Sequence, residues 1–217
     1  MKQPNLLKFL CSILIGAGLC FVAAGCVQLE RKYPDIRTYS LDVSSQGHGS
    51  YAGLPVSLRL NSFSSVPQAV DRYLLYRTGE TAYESDFYNQ LMTAPAEMIH
   101  DQAATWLKGS PLVRFVLKPG EASCPFYGID GTLVDIYGDY RDANAPKAVL
   151  RLKITVSETD ESGPDVVLQK IYSQEVPMKN ISPAALSEGW NLGLCRILAD
   201  FESDLKELIA GTIPQNG

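Results

Sequence analysis

The chain has 217 residues, 46% of them hydrophobic and 20% charged, with 19 Lys and Arg against 24 Asp and Glu, two His and five Cys. That profile describes one globular domain able to bury its own core and excludes intrinsic disorder, because no long block of like charge breaks up the apolar content. The acidic balance argues against nucleic acid as a partner, and two distant histidines with no CxxC pair exclude a structural zinc site.

The first 25 residues read as a signal peptide. Lys2 and Lys8 form a positive start, and Phe9 to Ala24 is an apolar run of 16 residues, short of the roughly 20 that span a bilayer. The stretch Val22-Ala23-Ala24-Gly25-Cys26 resembles a bacterial lipobox, with small residues before a cysteine that is diacylated and becomes the new N-terminus. The competing reading is ordinary secretory cleavage that leaves Cys26 a plain thiol. Removing the leader takes away two lysines and no acids, so the mature chain carries 17 basic and 24 acidic groups, net −7. Two or three acyl chains hold a protein firmly where one does not. Val27 follows the cysteine in place of the aspartate that retains lipoproteins in the inner membrane, so the expected address is the outer membrane, facing the periplasm.

Residues 26–37 suit a lipid-anchored tether, residues 38–211 a single α/β domain, and residues 212–217 a tail. Within the domain, Thr38 to Val43 alternates Tyr39, Leu41 and Val43 against polar neighbours, the pattern of a half-buried strand. Ser44 to Gly53 is a loop, and Pro55 to Phe63 is a second strand. Tyr73 to Arg77 and Thr81 to Glu84 are short strands around Thr78-Gly79-Glu80. Pro95 to Lys108 is a helix, with Ala96, Ile99, Ala103, Trp106 and Leu107 on one face and Gly109-Ser110-Pro111 as its stop. Trp106 belongs to the core on this pattern.

Arg114 to Leu117 is a short strand, followed by three longer ones over Tyr127 to Tyr140, Lys147 to Thr159 and Val166 to Val176. Short turns join the last three into an antiparallel meander. The final element runs from Pro183 to Ala210, with Ser182 as N-cap and a stripe of Leu186, Trp190, Leu194, Leu198, Phe201, Leu205 and Leu208. Gly189 and Gly193 each weaken that helix by about 1 kcal/mol relative to Ala, so close packing is the expected reason for both. The fold class is therefore α+β: a mixed, largely antiparallel sheet with a three-strand meander, flanked by a mid-chain helix and a long amphipathic C-terminal helix.

Candidate chemistry is sparse. Gly47-His48-Gly49-Ser50 has neither the GxGxxG nor the GxSxG spacing, and no apolar helix follows it. Asp135, Asp139 and Asp142 cluster near a strand end, where a cation or acid/base site competes with a solvated end neutralised by Arg141. No nucleophile elbow, metal cluster or cofactor motif is visible, so no catalytic, cofactor or metal-binding residue is assigned and the expected protein is not an enzyme. Cys124 and Cys195, the mature cysteines besides Cys26, leave open a disulfide or two buried free thiols. The expected binding surface is a sheet edge at Tyr73, Leu74, Leu75, Tyr76 and Arg77, since aromatics and Arg dominate interface energetics. A partner strand or further copies of the chain could meet there. Completion of the core by the tyrosines is the competing reading.

The lipobox, the Tyr-x-Leu strand, Asp71-Arg72-Tyr73-Leu74-Leu75-Tyr76-Arg77, Phe87-Tyr88-Asn89 leading into the Pro95 helix, Gly131-Thr132-Leu133 and the amphipathic C-terminal helix together resemble the ABC-type transport auxiliary lipoproteins. The likeness runs from about Tyr39 to Leu208. It implies a mixed sheet flanked by helices in an outer-membrane lipoprotein. Such a protein would work with a periplasmic MCE-domain protein and, through it, an inner-membrane ABC transporter, to move lipids or other apolar molecules between membranes. It carries over no catalytic residue. Two other functions compete: an outer-membrane lipoprotein that activates a cell-wall synthase, and a lipid-anchored enzyme.

Overall fold

A computed structural model describes residues 35–43, 55–121, 127–160 and 163–212. The leader, Cys26, most of the tether, the glycine-containing loop at 47–50, Cys124 and the end of the tail lie outside these residues. In chain order the elements are β1 (Arg37–Tyr39), β2 (Val56–Leu60), β3 (Ser64–Ser65), a 3-10 turn (Pro67–Ala69), β4 (Tyr73–Arg77), β5 (Tyr83–Leu91), α1 (Pro95–Gly109), β6 (Val113–Leu117), β7 (Tyr127–Asp139), β8 (Lys147–Asp160), β9 (Gly163–Pro177) and α2 (Pro183–Thr212). This is the expected α+β class, a mixed nine-stranded sheet with a mid-chain helix and a C-terminal helix. All elements belong to the compact unit that begins at Ile36.

Strand β7 is the axis of the sheet. Along one side it pairs β8 in antiparallel register from Tyr127↔Glu158 to Asp139↔Lys147, and β8 in turn pairs β9. Along the other side it pairs, in sequence, with β2 at Tyr127 to Ile129, β3 at Thr132 and Leu133, and β4 at Gly138 and Asp139, all parallel. Beyond β2 lies β6; beyond β4 lie β5 and then β1. A bulge between Leu133 and Asp135 switches the side-chain parity of β7. Before it Ile129 and Leu133 point into the core; after it Ile136 does.

Both helices lie on one face. On β8 the even residues Ala148, Leu150, Leu152, Ile154 and Val156 are buried, and α2 packs on them. A Cβ on Gly189 would sit 2.5 Å from the Ala148 Cβ, so only glycine lets the helix approach this closely. The same addition at Gly193 would meet Gln174, Val176 and Leu150 at 3.5 to 3.9 Å, ordinary contact. The expectation of close packing therefore holds at Gly189 and not at Gly193. The Ser182 hydroxyl accepts the Ala185 N–H, capping α2 as expected. Helix α1 is fastened to α2 through Glu202, whose carboxylate accepts a 2.8 Å hydrogen bond from Trp106 Nε1 and another from the Ser110 hydroxyl.

Several expected boundaries change. The first strand ends at Tyr39; Leu41 and Val43 are buried because residues 40–43 run beside the helices, where Ser187 Oγ, Asn191 Oδ1 and Gln102 Oε1 take up backbone groups of Ser40, Asp42 and Val43. The second strand stops at Leu60. The strand expected to end at Glu84 continues to Leu91, because its far half pairs β1.

Candidate functional site on the open face of the sheet

No described helix lies across the other face of the sheet. Parity places Tyr73, Leu75 and Arg77 of β4 there, opposite Gln90, Ser85 and Tyr83 of β5, while Asp135, Tyr137 and Asp139 of β7 face the same way after the bulge. Tyr83 meets Tyr137 edge to face with ring centroids 5.7 Å apart, and the Arg77 guanidinium lies 5.9 Å from the Tyr83 centroid. Arg77 also donates to the carbonyls of Gly79 and Glu80. Burial raises the Tyr137 phenol pKa, and the nearby Arg77 guanidinium offsets part of that rise.

Between the β3 and β4 pairings, residues 134–137 of β7 have no strand neighbour on that side among the described residues, and the 3-10 turn takes the place of one. The result is a groove of about 360 Å³ lined chiefly by Ala69, Leu75, Tyr83, Ile136 and Tyr137, with Gln68 and Asp135 at its polar margin. An apolar floor with a few polar groups suits a protruding apolar side chain or an alkyl segment.

At the β1 end the open face terminates in a bulge. Leu74 pairs Asp86 while the adjacent Tyr73 pairs Gln90, so Phe87, Tyr88 and Asn89 bow out of β5. The Asp86 carboxylate holds them: Oδ1 accepts the N–H groups of Tyr88 and Asn89 at 3.0 and 3.1 Å, and Oδ2 accepts the Tyr76 hydroxyl at 2.7 Å and Asn89 Nδ2 at 2.8 Å. Burial pushes this carboxyl up, but the hydrogen bonds from Tyr76, Asn89 and the two N–H groups outweigh it and hold the pKa below the ordinary carboxylate value. Phe87 packs edge-on against Tyr73, and Asn89 accepts the Tyr39 hydroxyl of β1.

The five expected interface residues divide by face. Tyr73, Leu75 and Arg77 line the open face; Leu74 is fully buried, and Tyr76 is half-buried against the core and stacks on Tyr140. Strand β4 is not a sheet edge, because β5 flanks it on one side and β7 on the other, so strand addition to β4 does not fit. Sequence reasoning missed Tyr83 and Tyr137, which complete the surface, and the bulge at Phe87 to Asn89, which interrupts the alternation of β5 and so hides its far half. The aspartates are engaged individually. Asp135 pairs Arg151 at 2.9 Å, Asp139 pairs Arg141 at 2.7 Å, and Asp142 accepts the Asn144 N–H. No group of three or more His, Cys, Asp or Glu able to hold a metal occurs among the described residues. Cys195 is a buried free thiol on α2 whose pKa burial raises; Cys124 lies outside the described residues. No helix among the described residues is long and apolar enough to cross a membrane.

No protein-family model and no curated protein matches the sequence. Solved structures do match. A Xanthomonas campestris protein of the family model DUF330 superposes with a TM-score of 0.68 at 12% identity, over 82% of this chain and 99% of that one. An uncharacterized protein follows at 0.55 and 10%, over 73% and 98%. At these identities the likeness shows a shared fold.

Proposed function

We propose that this chain is the non-catalytic outer-membrane lipoprotein subunit of an ABC/MCE-type transport system and that its open aromatic face receives the periplasmic MCE-domain partner. The observation that carries the reading is the surface formed by Tyr73, Leu75, Arg77, Tyr83 and Tyr137. Tyr and Arg are the residues that dominate association energetics, and here they rim an apolar groove on the side of the sheet that neither helix covers. The lipobox at Cys26 supports the anchor, and the family resemblance supports the system. Cargo would be a lipid or another apolar molecule passed between membranes through the assembly.

The test is site-specific photocrosslinking in cells. A crosslinking amino acid in place of Tyr83 should capture an MCE-domain protein, whereas one in place of the exposed Glu207 on α2 should not. Capture of a penicillin-binding synthase at position 83 would transfer the protein to the cell-wall role, and identical products at both positions would remove the face assignment. Cys26→Ala should abolish acyl labelling and outer-membrane fractionation; unchanged fractionation with no lipid mass on the Cys26 peptide would refute the anchor.

A further inference from the structure

We infer that the Phe87–Tyr88 bulge of β5 is a membrane-contact element that rests on the lipid headgroup layer beside the anchor; this goes beyond the partner assignment but rests on the acylation of Cys26. Phe87 is 64% exposed and Tyr88 49%, and the neighbouring apolar residues Ile36 and Met92 are 61% and 58% exposed. The bulge is not slack. The Tyr88 and Asn89 N–H groups and the Asn89 amide donate to Asp86, itself held by the Tyr76 hydroxyl, and Asn89 ties the bulge to Tyr39. Fixed backbone with outward aromatic rings is the arrangement expected where amphipathic side chains meet a lipid interface.

Where the chain enters the domain selects lipid as the occupant. Arg37 of β1 pairs in register with Asn89 at the end of the bulge, so the tether arrives at Ile36 directly beside it. Ten residue steps separate Cys26 from Ile36, a reach of about 35 Å when fully extended. A domain of this size is about 40 Å across, so a path around to its opposite side is about 60 Å. The tether is too short for that. The side that includes Ile36 and the bulge therefore stays nearest the bilayer, at a high effective concentration that makes even weak insertion effective.

Charge plays little part. Arg37 and Arg72 lie close to the bulge, the latter through its carbonyl bond to the Leu91 N–H, and they are offset by Asp71 beside Arg72, Asp35 two residues before Arg37, and Asp86 at the bulge itself. The local balance is near zero, so contact should come from aromatic insertion and should resist salt, unlike a polybasic patch.

Bromolipid quenching tests this on the acylated full-length mature protein in vesicles of phosphatidylethanolamine, phosphatidylglycerol and brominated phosphatidylcholine. The native Trp106 and Trp190 are buried and out of reach. A Phe87→Trp variant should lose about half its added emission, unchanged by high salt. A Phe115→Trp variant, with its probe exposed on β6 at the other end of the sheet order, should keep its emission. Flotation with the vesicles reports the anchor separately. Flotation without selective quenching at position 87 overturns the contact while leaving the anchor intact, and points to a protein partner or a second copy on the bulge. Loss of flotation together with no lipid mass on Cys26 overturns the anchor and this inference with it.

Discussion

The Tyr76 hydroxyl reaches Asp86 Oδ2 at 2.7 Å across the β4–β5 pair, whereas the hydroxyl of Tyr140, stacked on Tyr76 at 5.1 Å between ring centroids, is buried with no hydrogen-bond partner among the described residues. Two phenols in one stack thus differ only in what their oxygens do. Tyr76→Phe should cost about 2 kcal/mol, the usual size of a hydrogen bond to a charged group. Tyr140→Phe should cost nothing or stabilise, because it removes an unsatisfied polar atom and keeps the stack. Denaturant melts of the two variants check the contrast, and equal losses would refute it.

Acid and alkali should act on different residues. The carboxyls of Asp86, Asp139 and Asp204 are held below their ordinary value of 3.8 by hydrogen bonds from Tyr76 and Asn89, from Arg141, and from Lys170 and Tyr172, respectively. Their folded values lie below the unfolded one, so their contribution is complete above about pH 4 and is lost as pH falls further. Burial raises the phenols of Tyr76 and Tyr172, each further raised by an aspartate, and pushes Tyr140 up to about 12. For these the stability is complete below about pH 10 and is lost as pH rises beyond it. Melting temperature should therefore fall at both extremes, and Asp86→Asn should flatten the acid limb.

Glycine substitutions on α2 should change sign within four residues. At Gly189 an added methyl meets the Ala148 Cβ at 2.5 Å, forcing helix and sheet apart, and Gly189→Ala should cost about 1–3 kcal/mol by overpacking. At Gly193 the same methyl finds ordinary contacts, so Gly193→Ala should gain up to about 1 kcal/mol of helix propensity. Chemical denaturation of the two variants reads both.

The meander and the last helix were legible because their patterns are long. Leu150, Leu152, Ile154 and Val156 alternate without interruption, and seven residues repeat along α2 at helical spacing. What failed were elements whose cause is not periodic. Strand β5 was cut short because the bulge at Phe87 to Asn89 breaks its alternation. Strand β3, with two residues, exists only because Thr132 and Leu133 offer it a partner. The open face could not be seen at all: Tyr73, Leu74, Leu75, Tyr76 and Arg77 are all apolar or amphipathic, and only pairing with β5 and β7 decides which of them point to the helices. The glycine of Gly131-Thr132-Leu133 gained its reason from the fold as well, since the Phe63 ring occupies the place of its missing Cβ.

Cys195 should behave as a buried free thiol. Burial raises its pKa, which lowers the thiolate fraction, so a neutral alkylating reagent should modify it slowly in the folded protein and readily after unfolding without reductant. A thiol that fails to appear in the unfolded, unreduced chain would instead place Cys195 in a disulfide, with Cys124 the available mature partner.

Strand β4 provides the sharpest separation of stability from binding, because adjacent residues serve opposite faces. Leu74 is fully buried, so Leu74→Ala should cost about 2–5 kcal/mol and lower the melting temperature sharply. Tyr76→Ala should do likewise, since its ring stacks in the core and its hydroxyl anchors Asp86. Tyr73 and Tyr83 are 38% and 47% exposed on the open face, and their contacts are with Phe87, Arg77 and Tyr137 at the same surface. Alanine at both should leave the melting temperature nearly unchanged and remove capture of the proposed MCE-domain partner. The ordering matters more than any single value: binding loss should track position 73 and 83 and stability loss positions 74 and 76. If partner capture survives the Tyr73→Ala, Tyr83→Ala double variant with stability intact, the open face is not the docking surface.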